Sequence, residues 1–229
     1  MEEQVRIAPR LVGGHVALDL VNTVAPRLPA DAASADTVDF LLTPGALLHW
    51  ARRVELITSV EADGVAAAWT AAPESAVKAL RAAVDVREAT YAVLMAALGV
   101  PGAASDGAAS DGATAELERL VLRWTAATAR SVLRLGDGSG PPAVLSVGGP
   151  EALLIADRLA FAAVDLVRTA DLTQLRVCPL PEGGCGWLFL DRSRNRSRRW
   201  CAMEDCGTQA KSRRLTNRRR SARATATTR

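Results

Sequence analysis

The chain has 229 residues, of which 49% are hydrophobic, and a formal net charge of +3. That length suits one sizeable core with a small module or two small domains. No uncharged apolar run reaches the roughly 18 residues a membrane span needs, since the best candidate, Glu151 to Ala170, is broken by Asp157, Arg158, Asp165 and Arg168.

Taken in chain order, Leu11 to Thr23 opens with a Gly13-Gly14 turn and continues into an apolar run that periodicity alone does not assign to strand or helix. Thr43-Pro44 reads as the N-cap and first residue of a helix, with Leu47, Leu48, Ala51 and Val54 on one face. A longer helix is predicted from about Glu74 to Leu98, with Val77, Leu80, Val84, Tyr91, Met95 and Leu98 at three- and four-residue steps, and Gly99-Val100-Pro101-Gly102 ends it. Gly102 to Gly112 repeats Gly-Ala-Ala-Ser-Asp without a large side chain to bury and reads as a flexible loop. Leu117, Leu120, Val121 and Trp124 mark another helix. Ser131 to Leu135 and Ala143 to Val147 then flank a glycine-rich turn as two strands of a hairpin. Pro150 opens a helix whose buried face is Ile155, Leu159, Ala162 and Leu166. The expected fold class is α+β: a predominantly helical first domain with a small sheet, spanning 1–173, followed by a small module spanning 174–229.

Charge divides the chain at the same place. Residues 1–175 carry 14 basic and 21 acidic side chains, a net of −7, whereas residues 176–229 carry 14 basic and 4 acidic, a net of +10. The basic end also holds all four cysteines, Cys178, Cys185, Cys201 and Cys206. Two cysteine pairs on short loops are the ligand set that tetrahedral zinc takes. Two disulfides, four unrelated thiols or an iron–sulfur cluster are the competing readings. The start Met1-Glu2-Glu3 has no basic, apolar leader, so the thiols are expected to face cytosolic reductants and the protein to be cytoplasmic.

Between the ligands, Pro179 to Gly184 suits a turn that folds two thiolates around one ion. Trp187 to Leu190 reads as a strand, Arg192 to Ser197 as a polar turn and Arg198 to Trp200 as a returning strand, giving a knuckle followed by a hairpin. Trp187 and Trp200 are expected in the hairpin core. Thr208 to Ala222, free of proline and glycine, reads as a basic helix, so knuckle, hairpin and helix around one metal make residues 174–229 a small treble-clef-like zinc finger. So small a module has little core of its own, and one structural Zn²⁺ would supply much of its folding energy, roughly 10–16 kcal/mol for zinc peptides.

The segment Cys185 to Cys201, followed by Cys206-Gly207 and Ala210-Lys211, resembles the CGNR zinc finger. Gly13-Gly14-His15 with Leu18-Asp19-Leu20-Val21-Asn22-Thr23 resembles the start of the ABATE domain, which precedes that finger in bacterial proteins described as stress-induced transcription regulators. The resemblance implies zinc bound by Cys178, Cys185, Cys201 and Cys206, and DNA binding by the basic residues around them. In two places the chain departs from the pattern: Cys206-Gly207-Thr208-Gln209 stands where the family has Cys-Gly-Asn-Arg, and the first cysteine loop is longer. Thr-Gln keeps hydrogen bonding and loses the charge of Asn-Arg.

Four thiolates around one Zn²⁺ would leave about +8 on the basic end, enough to attract a phosphate backbone. The expected contacts to double-stranded DNA are Arg192, Arg194 and Arg196 on the turn, Arg198 and Arg199 on the returning strand, and Lys211, Arg213, Arg214, Arg218, Arg219 and Arg220 on the helix. Helical spacing puts Lys211, Arg214 and Arg218 on one stripe and Arg213 and Arg220 on another. RNA binding and a zinc-stabilised protein-interaction module are the alternatives. An enzyme is not expected: no cysteine lies outside the finger, His15 and His49 are far apart, and no phosphate loop or nucleophile elbow is present. His15, Asp19 and Asn22, within one short segment, are candidates for a pocket taking a small-molecule effector. The first domain is expected to sense or to form a homodimer.

Overall fold

The computed structural model describes residues 8–27, 37–100 and 108–216. The run after Gly13-Gly14 resolves as a short helix, α1 (Val16–Val21), because His15 caps it: the imidazole Nδ1 accepts from the Ala17 N–H at 3.2 Å. Two-residue strands β1 (Val24–Ala25) and β2 (Val38–Asp39) pair antiparallel. The Thr43-Pro44 signal opens α2 (Pro44–Arg53), with the Thr43 hydroxyl accepting from Ala46 N–H. A capping box between Thr58 and Glu61 starts α3 (Ser59–Ala71).

Helix α4 (Pro73–Ala97) is the central element, packed on α1, α3, α5 and α6. Its buried face differs from the expected one. Ala76, Ala79, Ala82, Ala83, Val86 and Leu94 face the core together with the expected Met95, while Val77 is 43% exposed and Leu80, Val84, Tyr91 and Leu98 are half-buried at its edge. Small side chains let the surrounding helices approach the α4 backbone closely, so the larger residues are displaced to the rim.

Helix α5 (Ala108–Ala129) begins inside the repeated segment expected to be a loop. Alanine has the highest helix propensity, and Asp111 in the first turn complements the helix dipole, which carries the helix through Gly112. Leu120 and Ala127 are buried, but Leu117 and Val121 are at least 40% exposed. The half-buried Trp124 packs its ring against Phe161. Strands β3 (Val132–Leu135) and β4 (Ala143–Ser146) form the expected hairpin, registered Leu133 to Leu145. A 3-10 turn after Pro150 leads into α6 (Leu154–Thr169), which buries Ile155, Leu159 and Leu166 as expected, with Ala163 rather than the half-buried Ala162 completing the face. No helix among the described residues is long and apolar enough to cross a membrane.

The C-terminal part differs from the expected topology. Strand β6 (Leu188–Leu190) pairs antiparallel with β5 (Leu175–Val177), which precedes the first cysteine, so the knuckle lies inside the hairpin loop rather than before the hairpin. Residues 198–200 form no strand. A π-type turn (Met203–Gly207) leads into a last helix, α7, over residues 208–216. Side chains alternate along β6: Leu188 and Leu190 join the large helical core, and Phe189 joins a second cluster with Trp187, Trp200, Ala210 and the cysteines. One strand thus belongs to both cores.

Candidate metal centre and basic surface

The four cysteine sulfurs converge. All four lie within 4.8 Å of one another, with Cys185 to Cys201 at 3.4 Å and Cys201 to Cys206 at 3.6 Å. Four sulfurs about 2.3 Å from one zinc ion sit roughly 3.8 Å apart at the edges of a tetrahedron, so the cluster fits Zn²⁺. The sulfurs are too far apart for disulfides, whose S–S distance is about 2.05 Å. Cys178, Cys201 and Cys206 are buried and Cys185 half-buried, as in a closed structural site. Crowded together, the thiols do not titrate alike. Hydrogen bonding from Cys185 first, then Cys201 and Cys206, holds the Cys178 thiol far down, and the same contact pushes Cys185 up. A divalent cation relieves that conflict by taking all four as thiolates. Bound there, the metal supplies structure: the four cysteines hold it and no open position remains for chemistry.

The local chain is built around those sulfurs. Cys178 N–H donates to the Trp187 carbonyl at 2.8 Å and Gly186 N–H to the Cys178 carbonyl at 3.1 Å, closing the knuckle. A Cβ at Gly184 would lie 2.7 Å from the Pro179 oxygen and 2.8 Å from Cys178 Sγ, so only glycine fits under the metal site. The return to Cys201 is set by Asp191, which is fully buried. Its carboxylate accepts from Ser193 N–H at 2.9 Å and from Arg198 N–H at 2.8 Å, and these bonds, the Ser193 contact foremost, hold its pKa down. With Arg198 N–H engaged by Asp191, residues 198–200 do not form the expected second strand.

The finger is docked on α1 by backbone contacts. Asn22 Nδ2 donates to the Leu188 carbonyl at 2.8 Å, and Asn22 Oδ1 accepts from Leu188 N–H at 3.0 Å. Arg27 N–H donates to the Cys185 carbonyl at 2.8 Å and Trp187 Nε1 to the Val24 carbonyl at 2.7 Å. Gly186, with φ +73, sits so near Arg27 that a Cβ would fall 2.2 Å from the Arg27 oxygen. Arg27 itself is buried: its Nε and Nη2 donate to the Val21 carbonyl, and Nη1 pairs with Glu88 at 2.6 Å.

These contacts also engage the three residues expected at an effector pocket. His15 caps α1, Asp19 accepts from Gly13 N–H at 2.9 Å, and Asn22 is committed to Leu188, so each of the three satisfies a backbone group. An open groove of about 790 Å³ lies between α3, α6 and the segment after β4, lined by Leu56, Leu145, Phe161 and Glu151 beside the Arg158–Glu61 ion pair.

The expected DNA contacts separate into groups. Arg192 and Arg194 are exposed on the turn, and Lys211 and Arg213 are exposed on α7. Arg196 is exposed and donates to Thr173 Oγ1 at 2.7 Å. Arg198 is committed to the finger. Its Nε donates to the Trp200 carbonyl at 3.0 Å, its Nη2 donates to the Cys201 carbonyl, and its guanidinium lies 4.6 Å from the Phe189 ring centroid. Arg199 and Arg214 pair with Glu182. The expected stripe of Lys211 and Arg214 is divided because Ala210 is buried and turns Arg213 and Arg214 toward the knuckle. Arg218, Arg219 and Arg220 lie outside the described residues. Sequence reasoning missed Asp191 and the structural role of Arg198. The Asp-x-Ser order of residues 191–193 was the available signal for the first.

No curated protein and no solved structure matches the chain. Residues 174–219 match the CGNR zinc finger, in agreement with the sulfur cluster, in spite of Thr208-Gln209. Residues 14–170, well over half of the chain, match the model named ABATE and described as "Putative stress-induced transcription regulator". The chain therefore belongs to the ABATE family and carries a CGNR zinc finger after its helical domain.

Proposed function

We propose that the protein is a cytoplasmic, non-catalytic transcription regulator that grips double-stranded DNA with the zinc finger. The observation that carries this reading is the display of exposed cationic side chains from separate segments of one small module, Arg192 and Arg194 from the turn and Lys211 and Arg213 from α7. A structural metal fixes those segments relative to each other, so their charges meet a phosphate backbone without first being ordered. Trp187 and Trp200 are 9% and 8% exposed, which removes them as stacking platforms and favours duplex over single-stranded RNA. We assign effector sensing to the open groove between α3 and α6, whose mixed lining of Leu56, Phe161, Glu151 and Arg158 suits an amphipathic small molecule.

The test is fluorescence anisotropy of the zinc-loaded chain with duplex DNA at several salt concentrations. Affinity is expected to fall by about 0.9 log units per phosphate contact for each tenfold rise in salt. Combining Arg192→Ala, Arg194→Ala and Lys211→Ala is expected to weaken binding at least tenfold and to leave the zinc content unchanged. Unaltered binding by that variant refutes the surface, and RNA outcompeting duplex refutes the choice of partner.

A further inference from the structure

Glu182 ends the 3-10 turn Leu180–Glu182 in the knuckle, between Cys178 and Cys185. Its carboxylate is approached from two sides: one oxygen accepts from Arg199 and the other from Arg214 at 3.1 Å. The two arginines come from unrelated segments, the return to Cys201 and α7. Arg213 borders the same place, since a Cβ on Gly183 would meet its Cδ at 3.0 Å and its Nη1 at 3.1 Å. Both paired arginines are more than half exposed, and Glu182 is about a third exposed. Exposed ion pairs contribute little to stability, so bracing α7 is a weak account of this convergence. A guanidinium fork recognises carboxylate and phosphate oxygens in the same way. Two guanidiniums that each direct one Nη2 to the same carboxylate therefore already bracket a place that a phosphate group could occupy.

We propose that Arg199 and Arg214 form a seat for one backbone phosphate of duplex DNA, and that Glu182 fills this seat in the free protein. The inference rests on the duplex-binding reading above. DNA must displace Glu182 to be held there. Weak, sequence-independent encounters gain little from the exchange, whereas a site that offers further contacts drives it. Glu182 thus acts as an internal competitor: it occupies the seat in the free protein and lowers affinity for any phosphate backbone that must displace it.

The experiment compares the full-length, zinc-loaded chain with Glu182→Gln, an isosteric change at a half-buried position, by anisotropy on a mixed-sequence fluorescent duplex. Zinc content and thermal midpoint are measured on each sample. Glu182→Gln is expected to tighten binding to mixed-sequence duplex by roughly two- to fivefold, the size of one exposed charge contact. Adding Arg214→Ala to it is expected to abolish the gain. If Glu182 only braces α7, the single variant binds equally or more weakly with a lower midpoint, which overturns the seat and leaves the duplex reading intact. Absence of binding by the unaltered chain at low salt removes the duplex reading, and the seat with it.

Discussion

The side-chain amide of Asn22 satisfies both backbone polar groups of Leu188, donating to its carbonyl at 2.8 Å and accepting from its N–H at 3.0 Å, at a place with no solvent exposure. An amide is the side chain that makes both bonds at once, because it carries a donor and an acceptor side by side. The pair joins α1 of the helical domain to the strand that leaves the zinc knuckle. Asn22→Ala leaves a buried N–H and a buried carbonyl without partners and is expected to cost about 2–4 kcal/mol. Denaturant unfolding followed by tryptophan fluorescence measures that loss, and a cost within experimental error of zero would show that water replaces the amide.

Because β6 supplies Leu188 and Leu190 to one core and Phe189 to the other, the two parts are expected to unfold together. Removing zinc with a chelator is expected to destabilise the whole chain by about 4 kcal/mol, less than an isolated finger would lose because the docked strand keeps part of its packing. For a chain of this size that lowers the thermal midpoint by about 8–16 °C. Calorimetry of the metal-loaded and metal-free samples checks this, and two transitions with only one sensitive to metal would refute the shared core. Cys201→Ser is expected to reproduce the metal-free curve.

Arg198 is expected to behave unlike its neighbours Arg192 and Arg194. Its guanidinium donates to the Trp200 and Cys201 carbonyls and covers the Phe189 ring, so Arg198→Ala removes two hydrogen bonds and a cation–π contact next to a metal ligand. Zinc release to a competing chelator is expected to accelerate severalfold in Arg198→Ala and to be unchanged in Arg192→Ala. Lysine does not restore the site, since a single ammonium lacks the planar fork.

Acid is expected to weaken the start of α3. Hydrogen bonding from Arg158 foremost, with the Thr58 N–H, holds the Glu61 carboxyl at about 2 instead of 4.5. A folded-state value below the unfolded one means that the contribution is complete above about pH 4.5 and disappears as pH falls toward 2. Glu61→Gln is expected to cost about 1 kcal/mol at neutral pH, the scale of a partly exposed ion pair. Unfolding free energies of the two proteins are expected to converge between pH 4.5 and 2. A constant difference across that range would show that the ion pair is not the source of the stability.

The sequence by itself determined the ligand set and the polarity of the molecule. Four cysteines, two turn-forming loops and a concentration of arginine read as a metal site on a basic module because those signals are local: residue type and short spacing set them, and no distant contact is needed. The cap at Thr43 and the Val132–Leu135 hairpin are likewise local chemistry. Only the tertiary structure decided which face of α4 is buried, since the choice between its alanine stripe and its larger residues depends on how closely the neighbouring helices approach. It also decided the strand partner of β6, which is β5 from before the first cysteine rather than the segment after the turn. The roles of Asn22, Arg198 and Glu182 are set in the same way. A polar side chain in sequence looks equally suited to a ligand, a nucleic acid or a backbone carbonyl, and only the fold determines which of these lies within hydrogen-bond reach.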